Sequence, residues 1–267
     1  MMTLTAAFVR RDFRLERTYR IALLTQFGGI FASLLSAGFL SRLVPGNTRA
    51  LRPFGGDYFT FVLVGTAALS YFSVALGSFA SSLGQEQQMG TMEALLVTPN
   101  DPKKLLICGA AWPFTFATIQ LVIYVGLGAA LFHANVAFGH IAIAFGMLLL
   151  TMAAFSAVGL AAAGLIMLVK RTGALLGLVG SAFGLLGGVL YPISVLPRPL
   201  QLLAEALPMS HGLEGVRLAL VPDPDLGAIG RDALALAVFT VVLVPVALWG
   251  FEWSVRQCRR TGSLGHY

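Results

Sequence analysis

Six apolar stretches of spanning length punctuate the chain, near residues 21–41, 58–83, 105–132, 141–169, 173–196 and 233–251. Each approaches or exceeds the roughly 20 residues that a helix needs to cross a bilayer core of about 30 Å. In lipid every backbone N–H and C=O must find a partner inside the chain, so each stretch predicts a helix. Between the fifth and sixth lie two shorter pieces, Pro199–Leu207 and Gly212–Leu220, separated by Pro208. Neither can cross, and leucines at 200, 203, 207, 213 and 220 argue against a solvated linker. They predict a shallow outer hairpin over 197–220. The pattern is that of an all-α polytopic membrane protein with six transmembrane helices.

The first twenty residues follow another pattern. At about 100° per residue, Leu4, Phe8, Leu15 and Tyr19 fall on one side of a helix and Arg10, Arg14 and Arg17 on the other, with Arg11 interrupting the apolar stripe. That is the signature of an amphipathic helix lying in the membrane interface. The expected organisation is an interface helix over 1–20, a six-span membrane domain over 21–254 and a polar tail over 255–267.

One polar segment stands out between the second and third spans. Over 84–99 the chain reads Gly84-Gln85-Glu86-Gln87-Gln88-Met89-Gly90-Thr91-Met92-Glu93-Ala94-Leu95-Leu96-Val97-Thr98-Pro99. Thr91 suits an N-cap with Glu93 in the first turn, where a carboxylate meets the positive helix end. Pro99 ends that helix, and Asp101-Pro102 starts the third span as a cap followed by proline at the first helical position. Met92 and Leu95 are then available for burial and Glu86 and Glu93 for pairing, which makes the segment a handle for a soluble partner.

Composition agrees with lipid as the solvent. Hydrophobic residues are 57% of the chain and charged residues only 11%, against about 25% in soluble domains. With the N-terminus inside, twelve Lys and Arg lie on the cytoplasmic side and six outside, while the acidic residues divide evenly, so the net charge of +6 sits on one side. This is the positive-inside asymmetry and predicts cytoplasmic termini. The basic residues are dispersed at helix ends and form no stripe for nucleic acid. The first span follows a charged arm and exceeds the 7–15 residues of a signal-peptide core, so it is expected to stay in the membrane. Cys108 and Cys258 both fall on the reducing side, which predicts packing thiols and no disulfide.

Candidate chemistry is sparse. No Gly-x-x-x-x-Gly-Lys-Ser/Thr occurs, so the chain carries no such phosphate-cradling loop. The central parts of the six spans hold no Asp, Glu, His, Lys or Arg, the residues that proton-coupled transporters use as relays. Ser210 and His211 are adjacent, with no fixed carboxylate evident for a triad, and His133 and His140 lack a third metal ligand. No catalytic residue and no metal site are expected. Gly173, Gly177, Gly180, Gly184 and Gly187 recur every three or four residues along the fifth span, a face that another helix can approach closely. That helix is either the preceding span, through Ala153, Ala157 and Gly164, or one outside the chain.

The run from Glu86 through Pro99 resembles the cytoplasmic signature of type-2 ABC exporter permeases. Tyr191-Pro192, Leu196-Pro197, Leu207-Pro208-Met209-Ser210 and Gly215-Val216-Arg217 resemble the region between their fifth and sixth spans. The resemblance covers the chain in length and layout. It implies that 84–99 is the coupling helix, with Glu86, Gly90, Thr91, Met92, Glu93 and Leu95 against an ABC ATP-binding subunit, and that Leu4, Phe8, Leu15 and Tyr19 belong to an interface helix beside it. It further implies that Tyr191, Glu205, Glu214 and Arg217 belong to a gate-like outer element, and that the glycine stripe faces a second permease copy or the pathway. The expected protein is therefore a non-enzymatic exporter half in a bacterial plasma membrane, with ATP and Mg held by the partner and a lipid-like, glycolipid or hydrophobic drug cargo. An ion-driven transporter and a membrane assembly protein are the alternatives.

Overall fold

The computed structural model describes residues 2–18, 20–43, 49–88, 102–132, 134, 136–169 and 173–261, and among them it contains nine α-helices and no strand. They are α1 (Met2–Thr18), α2 (Arg20–Ser41), α3 (Tyr58–Gln88), α4 (Pro102–Phe132), α5 (Ile141–Val169), α6 (Gly173–Leu186), α7 (Arg198–Glu205), α8 (Pro208–Ala219) and α9 (Leu226–Thr261). Five are long and apolar enough to cross a membrane, over Leu23–Ser41, Tyr58–Phe79, Cys108–Phe132, Ile141–Leu165 and Leu226–Gln257. The chain is a multi-pass membrane protein.

Local chemistry sets the helix starts. Asp57 accepts the Phe59 and Thr60 amides at 3.1 Å each and so caps α3, and Asp225 does the same for Gly227 and Ala228 at the start of α9. Pro102 and Pro208 open α4 and α8, where a missing N–H costs nothing. Pro208 thus begins the second hairpin helix, which the sequence places from 212, because the proline ring presets a helical φ.

The fifth expected span differs most. An apolar run over 173–196 predicts one crossing helix, yet α6 stops at Leu186. Its fourteen residues rise about 21 Å at 1.5 Å per residue, short of a bilayer core. Gly188 takes φ +72°, a left-handed conformation that ends helices and that glycine adopts without a Cβ clash. Pro192 and a 3-10 turn at Ile193–Val195 then carry the chain to α7. Apolarity marks this stretch as buried but does not say where the backbone turns.

Helix α3 is the hub. Within the crossing windows it is 72% buried, against 17% for α2, α4 and α9. Helices α4 and α5 pack on it, α9 packs on α5, and α8 sits against both α5 and α9. Phe72 of α3 stacks on Phe155 of α5 with centroids 5.2 Å apart, and Phe183 of α6 joins them at 4.9 Å from Phe155. Gly159 permits the α3–α5 approach, since a Cβ there would stand 2.5 Å from the Leu76 carbonyl oxygen and 2.8 Å from that of Ala75.

The arm docks on the bundle through residues the sequence did not select. Glu16 accepts the Trp112 indole N–H at 2.6 Å, Phe13 meets the Trp112 ring edge-on at 5.4 Å, and Thr5 contacts Cys108 Sγ at 3.4 Å. Phe8, half-buried, lies under the Arg11 guanidinium at 4.8 Å. Leu4 and Leu15 lie on α1 and Tyr19 lies outside the described residues.

Candidate functional site

Two constellations could serve transport, one in the hairpin and one among the spans. In the hairpin, Arg217 of α8 is only 6% exposed. Its Nη1 donates to the Gly188 carbonyl at 2.8 Å, and its Nη2 donates to those of Val189 and Phe61 at 2.7 and 3.0 Å. The guanidinium also lies 3.4 Å from the centroid of the Phe61 ring. Two of these carbonyls belong to the turn after α6, where the helix has ended and no next turn supplies N–H donors. Arg217 replaces those donors and clamps three elements together: α8, the end of α6 and α3. Gly65 makes room, because a Cβ there would clash with Arg217 Nη2 and the Val189 oxygen.

A second tie closes the hairpin itself. His211 Nδ1 lies 2.8 Å from Asp232 Oδ1 of α9, and Nε2 lies 2.9 Å from the Glu205 carbonyl oxygen of α7. The sequence showed no fixed carboxylate for this histidine; the fold brings one from 21 residues further on. It does not make a triad. Ser210 Oγ is buried and donates to the Ala204 carbonyl at 2.5 Å, so the hydroxyl belongs to the hairpin turn.

The Asp232 hydrogen bond raises His211 above its ordinary value, burial opposes that in part, and the Glu205 carbonyl adds to the rise. Both ring nitrogens face acceptors, which suits the imidazolium. A raised folded-state value means that the stabilisation is complete below about pH 6.5 and is lost as pH climbs through the raised value. The purified protein is therefore expected to melt at a lower temperature at about pH 8.5 than at about pH 6. His211→Asn should flatten that dependence, and an unchanged pH profile in the variant would remove the tie.

The second constellation is a polar pocket of about 330 Å³ between α2, α3 and α4. Gln120 donates to Gln26 Oε1 at 3.1 Å, Ser33 donates to Tyr124 Oη at 3.0 Å, and Tyr124 Oη lies 2.9 Å from Thr66 Oγ1. Ser70 and Tyr71 also line it. Tyr124 is buried while Gln26 and Ser70 are exposed, so the pocket opens on the flank of the crossing helices, where uncharged amides and hydroxyls offer hydrogen bonds without the desolvation cost of ions. Such a wall suits a neutral hydroxyl-bearing or amphiphilic guest.

The expected site residues separate in space. Glu86 lies on the last turns of α3, which runs through Gln88, while Gly90, Thr91, Met92, Glu93 and Leu95 lie outside the described residues. In the stripe, Cβ atoms at Gly177 and Gly180 would meet nothing within 4 Å, and one at Gly184 would touch only Leu69. Gly187 instead packs on Met209 of α8, and Gly173 begins α6. Gly164 faces Phe251 and Ser254 of α9, so it is not the partner of that stripe. Tyr191 donates to the Leu185 carbonyl at 2.6 Å, Glu205 contributes its carbonyl to His211, and Glu214 is exposed. Of the hairpin residues the sequence selected, Arg217 is the one the fold buries.

Gly65, Gln26, Gln120 and Tyr124 were missed, and His211 was weighed only as a triad member. Gln120 and Tyr124 stand four apart and Gln26 and Ser33 seven apart, spacings that put each pair on one helix face. A search for ionisable residues alone passes over that signal.

The ABC-2 type transporter family matches residues 3–221, from the arm to the end of the hairpin. No curated protein matches the chain.

Proposed function

This chain belongs to the ABC-2 type transporter family, and we propose from that membership that it is one permease half of an ATP-driven exporter, paired with a second permease and two ATP-binding subunits. The observation that carries this reading is the length of the family match, which takes in the arm, the crossing helices to α6 and the hairpin together. The sequence supports an outside motor, since it carries no phosphate-cradling loop of the Walker type. The positive-inside asymmetry supports cytoplasmic termini, with 84–104 on the side of the ATP-binding subunits in a bacterial plasma membrane. Open positions at Gly177 and Gly180 support a close seam with the second permease.

In this mechanism, closure of the ATP-binding subunits pushes on 84–99, and α3 and α4 carry the push because the segment joins them directly. Such a push shifts the bundle only if the contacts differ between the two states. The polar pocket between α2, α3 and α4 supports a cargo with an uncharged polar group on an apolar body, as in a lipid-like or glycolipid molecule or a hydrophobic drug.

The deciding experiment is export from vesicles with ATP held constant and the proton gradient collapsed by ionophore. Transport is expected to persist, and its loss would favour an ion-driven carrier. Gly90→Trp should abolish export while membrane abundance stays normal, because bulk at that position blocks a partner groove. A Gly90→Trp protein that holds its ATPase and exports at the wild-type rate would take 84–99 out of the mechanism.

A further inference from the structure

Arg217 has a property that a latch does not require. Its three hydrogen bonds all go to neutral carbonyls, its Nε has no acceptor, and among the described residues no carboxylate lies within ion-pair distance of it. Glu214, one turn earlier on α8, attracts the guanidinium from beyond ion-pair distance and does not touch it. A guanidinium keeps its charge at any physiological pH, and a buried charge with no counter-ion in contact is costly. Its field is focused into whatever space adjoins it.

That space is a cavity of about 440 Å³ lined by Arg217, Thr60, Phe61, Val136 and Pro222. It adjoins an almost wholly apolar cleft of about 250 Å³, and the two share Val64, Val136 and Leu220 as walls. The cleft runs between α4 and α5 over a floor of Ala67 and Ala68. Val122 on one lip is 62% exposed and Phe145 on the other 46%, so the cleft opens sideways. In a membrane, that opening faces acyl chains.

We propose that the two cavities form one site for a phospholipid of net negative charge, with its phosphate beside Arg217 and one acyl chain in the α4–α5 cleft. Charge complementarity selects the headgroup, because among the described residues no carboxylate touches the cation. The apolar extension selects a lipid over a soluble anion, since a free phosphate would leave the cleft unfilled. A chain lying across Val64 and Leu220 would touch both α3 and the residue that follows α8. The site stands apart from the export reading and makes no use of the coupling segment.

The test uses the full chain in phosphatidylcholine vesicles carrying a trace of lipid with a diazirine on one acyl chain, as phosphatidylglycerol or as phosphatidylcholine. After illumination, mass spectrometry maps the attached residues. The phosphatidylglycerol probe is expected to label Val122, Val125 and Gly126 on α4 and 144–148 on α5 about tenfold more than its phosphatidylcholine counterpart, the ratio one good charge-assisted contact gives. Excess glycerol phosphate should not displace it. Gly126→Leu should abolish the labelling, because a Cβ at Gly126 meets nothing within 4 Å and the new side chain fills only the cleft. Arg217→Gln should equalise the two probes. Equal labelling by both probes in the wild type, displacement by glycerol phosphate, or undiminished labelling of Gly126→Leu would each overturn the proposal, and these arms decide even if Arg217→Gln does not fold.

Discussion

Arg217→Met is expected to lower the melting temperature of the purified protein sharply and to open the junction between the end of α6 and α3. Methionine keeps much of the bulk but donates nothing, so the Gly188 and Val189 carbonyls lose the donor that now reaches them at 2.8 and 2.7 Å. Two buried acceptors left unpaired, at roughly 1–3 kcal/mol each, cost about 2–6 kcal/mol. Relief from burying a charge offsets part of that. Arg217→Lys should fall between, because a single ammonium cannot reach three carbonyls and cover the Phe61 ring at once. Gly65→Ala attacks the same junction from α3, where its Cβ has no room beside Nη2 and the Val189 oxygen.

The two substitutions should be strongly non-additive, since both break one contact set. A cysteine placed at Val189, which is 2% exposed, reads the local effect: its reaction with a small thiol reagent should quicken in Arg217→Met with Cys108 and Cys258 removed. If Arg217→Met melts with the wild type and Val189→Cys stays equally protected, the latch contributes nothing.

Hydropathy alone located five of the crossing helices, because a bilayer leaves so few solutions for an apolar run. It also located the hairpin, from segments too short to cross. The end of α6 was not legible, since Leu190, Ile193 and Val195 are as apolar as a span and only the Gly187-Gly188 pair and Pro192 hint at the turn. Long-range partners were the least legible of all. Arg217 bonds to the Phe61 carbonyl 156 residues away, and Trp112 bonds to Glu16 at 96. A one-dimensional pattern says that such residues are unusual in lipid, but only the fold names their partners. The polar pocket shows the same limit differently. Gln26, Ser33, Gln120 and Tyr124 cost too little apolarity to interrupt a hydropathy average, so they disappear into the spans they line. The contacts of α1 with Trp112 and Cys108 were not legible either, because a bilayer and a neighbouring helix both accept apolar side chains and the sequence stripe does not tell them apart.

Gly159→Val is expected to reduce the amount of folded protein in the membrane severely, while the same change at Gly177 or Gly180 leaves abundance intact. The contrast follows from what each Cβ would meet. At Gly159 it would meet the carbonyl oxygens of Leu76 and Ala75, which belong to the backbone of the central helix and cannot rotate aside. The helices must then separate, and a radial gap of about 0.5–1 Å already forfeits a quarter to a half of each dispersion contact along the crossing. Phe72, Ala75, Phe155 and Ala163, all at most 2% exposed, share that loss. In lipid no hydrophobic force restores it, since acyl chains are as apolar as the core. Gly177 and Gly180 face open space in the single chain, so valine there has nothing to displace within it. If α6 forms the seam with a second permease, those variants should accumulate normally yet lose co-purification of a differently tagged copy. Normal accumulation of Gly159→Val would show that α3 and α5 do not cross at this point. Retained pairing in Gly177→Val and Gly180→Val would move the seam off α6.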